Sequence, residues 1–258
     1  MAEFDVKTRE LLFNYILGIA DDRLILGHRL SEWCGHAPII EEDIAMANIA
    51  LDCIGEADAF YKLAATFDTE GRSADDLAFL RDSTEFRNVQ LSEQPNTDFA
   101  WTIARQFFTD AFYVPFFEEL AKSSYEELAA PGAKALKEVK YHLRHSREWI
   151  LRLGDGTEES NSRLQDAVDN LWMYTREFFE FSDSVKLLYE LDIVPDNSAL
   201  LEKWKETVLP VLKDALITIP EDPPYFATGG RNGLHTEHLG HLLAEMQVLP
   251  RTYPDAKW

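Results

Sequence analysis

Hydrophobic positions recur at helical spacing along most of the chain, and no strand of consequence is predicted. The pattern predicts a first long helix over residues 6–33, with Leu11, Leu12, Tyr15, Ile16, Ile19, Leu24, Ile25 and Leu30 in register. Gly18 and Gly27 inside it lower helix propensity but admit a close neighbour. Cys34-Gly35-His36-Ala37-Pro38 ends it, and a second long helix follows over 41–67. That helix is apolar most of the way round. Its polar stripe, Asn48, Asp52 and Glu56, is spaced i, i+4, i+8, and Glu41 shares the same face. So apolar a helix belongs at the centre of a bundle, which carries part of the stripe inside. Asp58 and Lys62, at the edge of that face, are spaced to pair.

A polar crossing over 68–96 holds one short helix, 74–81, and ends at Pro95. The third helix, 97–120, is dense in aromatics: Trp101, Phe107, Phe108, Phe112, Tyr113, Phe116 and Phe117. This stripe reads as core rather than as a ligand pocket, and Pro115 is expected to kink the helix. A second crossing has a helical turn at 125–129 and then Pro131-Gly132. The fourth helix spans 133–153. A fifth, 158–181, turns Leu164, Val168, Leu171, Trp172 and Phe179 inward. Residues 182–194 either continue it or form a short separate helix. A sixth, 197–217, is broken by Pro210, and a Pro-rich linker, a Gly229-Gly230 turn and a last helix over 235–249 follow. The expected fold is all-α: a four-helix bundle with long crossover connections and additional C-terminal helices. It is read as one domain, 1–258, with the bundle at 5–182 and the C-terminal helices and tail at 184–258.

Charge narrows the partners. At a net −21 the chain repels nucleic-acid phosphates and anionic lipid, so neither is expected as a general partner. A locally basic patch leaves a coenzyme A ligand open. The two cysteines, Cys34 and Cys53, lack CxxC spacing and read as small apolar residues of a reduced protein. The opening residues lack the form of a signal peptide, and no apolar run reaches the ~18 residues of a membrane span. A cytoplasmic location is expected.

Inward carboxylates on a central bundle helix are how ferritin-like proteins hold a metal pair, with a Glu-x-x-His on each of two helices. The residues three before the seven histidines are Ile25, Trp33, Val139, His142, Asn232, His235 and His238. None is acidic, so the motif is absent. Glu138 and His142 are i, i+4, with His145 one turn on, but Lys137, Lys140, Arg144 and Arg147 crowd the same helix and disfavour a dication. An intrahelical Glu138–His142 hydrogen bond is expected instead. His235, Glu237, His238 and His241 form the other cluster, which is not HExxH and reads as capping, packing or partner contact.

Several segments carry a resemblance. They are Ser31-Glu32-Trp33-Cys34-Gly35-His36-Ala37-Pro38, Ala47-Asn48-Ile49-Ala50-Leu51-Asp52, Gln94-Pro95-Asn96, Ala104-Arg105-Gln106-Phe107 and Lys137-Glu138-Val139-Lys140-Tyr141-His142-Leu143-Arg144. Arg152-Leu153-Gly154-Asp155-Gly156-Thr157, Gly233-Leu234-His235-Thr236-Glu237-His238-Leu239-Gly240 and Leu243-Ala244-Glu245-Met246-Gln247 continue the series. Together they resemble the family of non-catalytic structural subunits of the bacterial phenylacetyl-CoA epoxidases, in order from residue 31 to the C-terminus. The resemblance implies a ferritin-like fold, a place in aerobic phenylacetate catabolism, and a structural role beside a homologous, catalytic subunit. That partner carries the di-iron site and binds phenylacetyl-CoA, so no cofactor is expected in this chain.

In the family's register, Cys53 and Glu56 fall in the Glu-x-x-His slots of the second helix, and Glu138 and Tyr141 in those of the fourth. Asp52, Cys53, Glu56, Glu138, Tyr141 and His142 are therefore candidates for a vestigial site. Their stripe is expected to be tied to lysine or arginine from neighbouring helices, because an unpaired buried carboxylate is costly. The alternative is a metal-dependent oxygenase with a non-standard site at Asp52, Glu56, Glu138 and His142. Self-association is a further possibility. Contact with the di-iron partner is expected at the C-terminal end, with His235, Glu237, His238 and Trp258 as candidates.

Overall fold

The protein, seen as a computed structural model, is described over residues 4–180 and 182–254. The α-helices are α1 (Val6–Ser31), α2 (Ile40–Ala65), α3 (Ala74–Phe79), α4 (Gln90–Glu93), α5 (Phe99–Leu120) and α6 (Glu126–Gly154). They continue with α7 (Glu158–Leu171), α8 (Asp183–Glu190), α9 (Leu200–Asp214), α10 (Glu237–Met246) and α11 (Val248–Thr252). No strand occurs among the described residues. Contacts group the chain into two compact units. One gathers Met1–His36, Asp43–Pro95 and Thr228–Trp258, and the other Ala37–Glu42 and Asn96–Ala227. The last helices thus return to the first unit instead of forming a separate C-terminal layer.

In the first unit α1 is the most enclosed element. Asp5 caps it by accepting from the Thr8 backbone N–H at 2.7 Å, and every residue from Ile16 to Gly27 is buried. Gly27 explains how α2 comes so near: a Cβ there would lie 3.0 Å from Ile54 Cγ1 and 3.2 Å from the Ala50 carbonyl. The polar stripe of α2 lies only partly inside. Glu56 is buried and Asp52 half-buried, but Glu41 and Asn48 are exposed, and Asn48 bonds its own helix at the Ile44 carbonyl. Asp58 and Lys62 pair at 2.7 Å as expected from their spacing. Cys34, read as a small apolar residue, is exposed beyond the end of α1, whereas Cys53 is buried.

The second unit is built on α5. Its phenylalanines are core: Phe112 stacks on Phe178 with ring centroids 4.5 Å apart, and the Trp204 indole N–H donates to the Phe108 carbonyl at 2.9 Å. The fifth helix stops at Leu171, short of the expected 181, and passes into 3₁₀ turns at Trp172–Tyr174 and Glu177–Phe179. Consecutive Phe178 and Phe179 both pack on Phe112, which a straight helix, with neighbours about 100° apart, does not allow. The segment after it is a separate helix, α8.

Prolines break less than their presence predicts. α6 runs through Pro131 and α9 through Pro210, so the expected turn-plus-helix and the expected break are each one continuous helix. The acceptors each proline forfeits belong to Glu127 and Glu206, which lie at or near the surface, where water replaces the missing N–H. At the end of α6, Gly154 permits a close crossing, since a Cβ would fall 2.0 Å from the Ala215 carbonyl oxygen.

Candidate functional site

Three consecutive charges, Asp21, Asp22 and Arg23, stand mid-way along α1, each with no exposed surface. Successive side chains on a helix point about 100° apart. Each charge must therefore find its partner on a different side. Asp21 accepts from the Tyr61 hydroxyl at 2.5 Å, from the Arg87 backbone N–H at 2.7 Å, and from both terminal nitrogens of Arg81. Burial, and then the Asp21 charge, push the Tyr61 phenol well above its usual range, so it stays protonated as the donor. Asp22 accepts from the Val89 backbone N–H at 2.7 Å and pairs with Arg231 at 2.6 Å. Arg23 pairs with Glu56 at 2.5 Å and donates to Cys53 Sγ at 3.1 Å.

The last contact bears on the vestigial-site reading. Cys53 and Glu56, the two residues of α2 in the family's ligand slots, converge on one guanidinium. Arg23 is thus the arginine that the stripe was expected to require, and it comes from α1. Of the other candidates, Asp52 is half-buried on α2, while Glu138, Tyr141 and His142 lie on α6 in the second unit. Glu138 pairs with Lys134 at 3.7 Å and its Oε2 accepts no hydrogen bond, so the expected bond to His142 does not form. Tyr141 is half exposed under the Arg144 guanidinium, His142 is fully buried, and His145 pairs with Glu42 at 2.7 Å. Among the described residues no three histidine, cysteine, aspartate or glutamate side chains gather as a metal ion requires. With Glu56 and Cys53 committed to a fixed cation, this donor set does not fit a di-metal centre.

The C-terminal candidates divide. His235 points inward: Nδ1 lies 2.8 Å from Glu93 Oε2 and Nε2 lies 3.0 Å from the Phe86 carbonyl. With Glu93 ionised, both partners only accept, so both ring nitrogens carry hydrogen. Glu93 also accepts from the Thr236 backbone N–H at 2.6 Å and from Asn88 at 2.9 Å. These bonds occupy His235 and Thr236 outside a helix, so α10 begins at Glu237 instead of the expected 235. It ends at Met246, where the Gln247 side chain turns to donate to the Arg81 carbonyl at 2.8 Å, and the expected last helix splits into α10 and α11. Glu237 is exposed at the start of α10; the His238 carbonyl accepts from Arg29 at 3.0 Å. Trp258 lies outside the described residues.

His235→Ala should lower the unfolding free energy by about 2 kcal/mol, the cost of removing a donor from a buried carboxylate. Urea unfolding measures it, with faster amide exchange expected over 229–247; unchanged stability would mean the bond is dispensable.

Sequence reasoning missed Asp21, Asp22, Arg23, Arg81, Glu93 and Arg231. Only the first three carried a signal, as three charges in a row within an otherwise apolar helical run.

Comparison with known proteins agrees with this arrangement. No helix among the described residues is long and apolar enough to cross a membrane. The model of the phenylacetic acid catabolic protein family matches residues 2–258. A subunit of the 1,2-phenylacetyl-CoA epoxidase of Escherichia coli (strain K12) is 47% identical over 244 residues, covering 95% of this chain and 98% of the relative. The all-α, ferritin-like reading stands with that match. On both findings, this chain belongs to the phenylacetic acid catabolic protein family.

Proposed function

We propose that the chain is the non-catalytic structural subunit of a cytoplasmic phenylacetyl-CoA epoxidase, supporting that enzyme's di-iron catalytic subunit in aerobic phenylacetate catabolism. The observation that carries this reading is Arg23. Its guanidinium holds Glu56 and Cys53, the α2 residues in the family's ligand slots. A buried cation fixed there neutralises the carboxylate a metal would need and repels a dication. The near-full-length likeness to a protein named as one subunit of such an epoxidase supports membership of an assembly of several different chains. The alternative, an oxygenase using Asp52, Glu56, Glu138 and His142, requires Glu56 to leave Arg23.

Co-expression tests the proposal. This chain should co-purify with the di-iron partner and be needed for its full epoxidase activity, while showing no epoxidation alone. Epoxidation by the isolated chain, or a di-iron partner fully active without it, would overturn the reading.

A further inference from the structure

The exposed face of α2 has the form of a helix-packing seam. Ile44, Asn48, Leu51, Gly55, Asp58 and Lys62 follow one another in alternating steps of four and three, and all six are exposed. That is the 3.5-residue period along which one helix packs against another. Ile44 is 58% exposed, Leu51 65%, and Ile40, a turn earlier, 72%. Scattered surface apolar residues are ordinary, but a contiguous stripe of them marks an interaction face.

Gly55 points the same way. Glycine weakens a helix interior relative to alanine. Gly27 of α1 has a reason within the chain, as a Cβ there would meet Ile54 at 3.0 Å. At Gly55 a Cβ would meet nothing within 4 Å, so nothing in the chain itself requires glycine on this face. A helix approaching from outside would.

Charge selects the occupant. The acidic side chains Glu41, Asp43, Asp52 and Asp58 lie along the seam or its borders, and Lys62 is already paired with Asp58. A second copy of a chain carrying a net −21 would meet like charge along the same line. We propose that this face of α2 receives a helix of the di-iron partner, apolar and small-residue along its seam and flanked by lysine or arginine. The inference rests on the proposed function above and names its docking surface.

The test measures binding of the full chain to the purified di-iron partner for Leu51→Lys and Gly55→Gln. Gly55→Ala is measured for folding, and Tyr225→Lys, at an exposed site of the second unit, serves as a control. Both seam variants should keep the wild-type thermal midpoint, because neither side chain is packed in the chain. Both should bind the partner at least tenfold more weakly. Gly55→Ala should melt no lower than wild type, and Tyr225→Lys should bind normally. Wild-type affinity in Leu51→Lys and Gly55→Gln would overturn the inference. Loss of a homodimer with the heteromer intact would assign the face to a second copy and overturn it too. A wild-type chain that does not bind the di-iron partner would instead overturn the proposed function.

Discussion

Replacing Arg23 with methionine should lower the unfolding free energy by about 3–5 kcal/mol, the usual cost of leaving one member of a buried ion pair alone. Methionine matches much of the arginine stem, so the loss reports charge more than volume. Glu56, 3% exposed, would keep its carboxylate facing the space the guanidinium left, and Cys53 would lose a donor. Domains are commonly stable by about 5–15 kcal/mol, so a loss of this size would be plain in a urea midpoint. The double variant Arg23→Met, Glu56→Met should recover much of it, because apolar replacement of a whole buried pair is often neutral or better. A single variant as stable as wild type would show that the pair does not hold α1 to α2.

Asp21→Ala should cost a comparable ~3–5 kcal/mol, for the opposite reason. Here the stranded group is a cation: Arg81 is 3% exposed and its guanidinium turns both terminal nitrogens on Asp21. The Tyr61 hydroxyl and the Arg87 backbone N–H lose their acceptor in the same step. Asp21→Asn should be milder, since it keeps an acceptor oxygen but not the charge.

Tyr61 adds a pH signature. Its folded-state pKa is raised by burial and by Asp21, so its contribution is complete below the ionisation of a free phenol, near 10, and is lost as pH rises above it. Wild type should therefore lose stability on the alkaline side as the unfolded chain, and not the folded one, gives up the Tyr61 proton. Removing Asp21 should shrink that dependence. Alkaline unfolding followed by urea titration at successive pH values checks both; an alkaline limb identical in wild type and variant would contradict the assignment.

These charges also restrict how the first unit can assemble. Asp21, Asp22 and Arg23 are satisfied only when Arg81, Arg231 and Glu56 arrive together, from segments far apart in sequence. An arrangement that misplaces one of them leaves a buried charge alone, at an effective cost of several kcal/mol. The C-terminal segment contributes twice more, through His235 on Glu93 and through Gln247 and Arg251 on the Arg81 carbonyl. Shortening the chain from Pro250 would therefore remove an intrachain clasp as well as any surface beyond it.

The long helices were legible because their apolar positions repeat with the helical period over seven turns in α1 and α2, and the aromatic run of α5 could only be core. Prolines misled where the forfeited carbonyl lies at or near the surface, as at Pro131 and Pro210; sequence shows the proline but not that surroundings supply water. The stripe on α2 was read as a unit, yet Asn48 faces solvent and Glu56 is sealed, because burial along one face is set by what crosses it. The charges on α1 were hidden by the same periodicity that revealed the helix. Glu93 lay in a polar crossing where nothing local sets a buried carboxylate apart from a solvated one. Its partner His235 is 142 residues away. Pairings over such separations are decided by the fold.

The most direct measurement is the metal content of each chain after the two are co-expressed with iron, purified together and then separated. Iron should be found in the catalytic partner, with this chain at background, because Arg23 already supplies the cation that Glu56 and Cys53 engage. About two irons in this chain, the content of a carboxylate-bridged pair, would contradict that assignment.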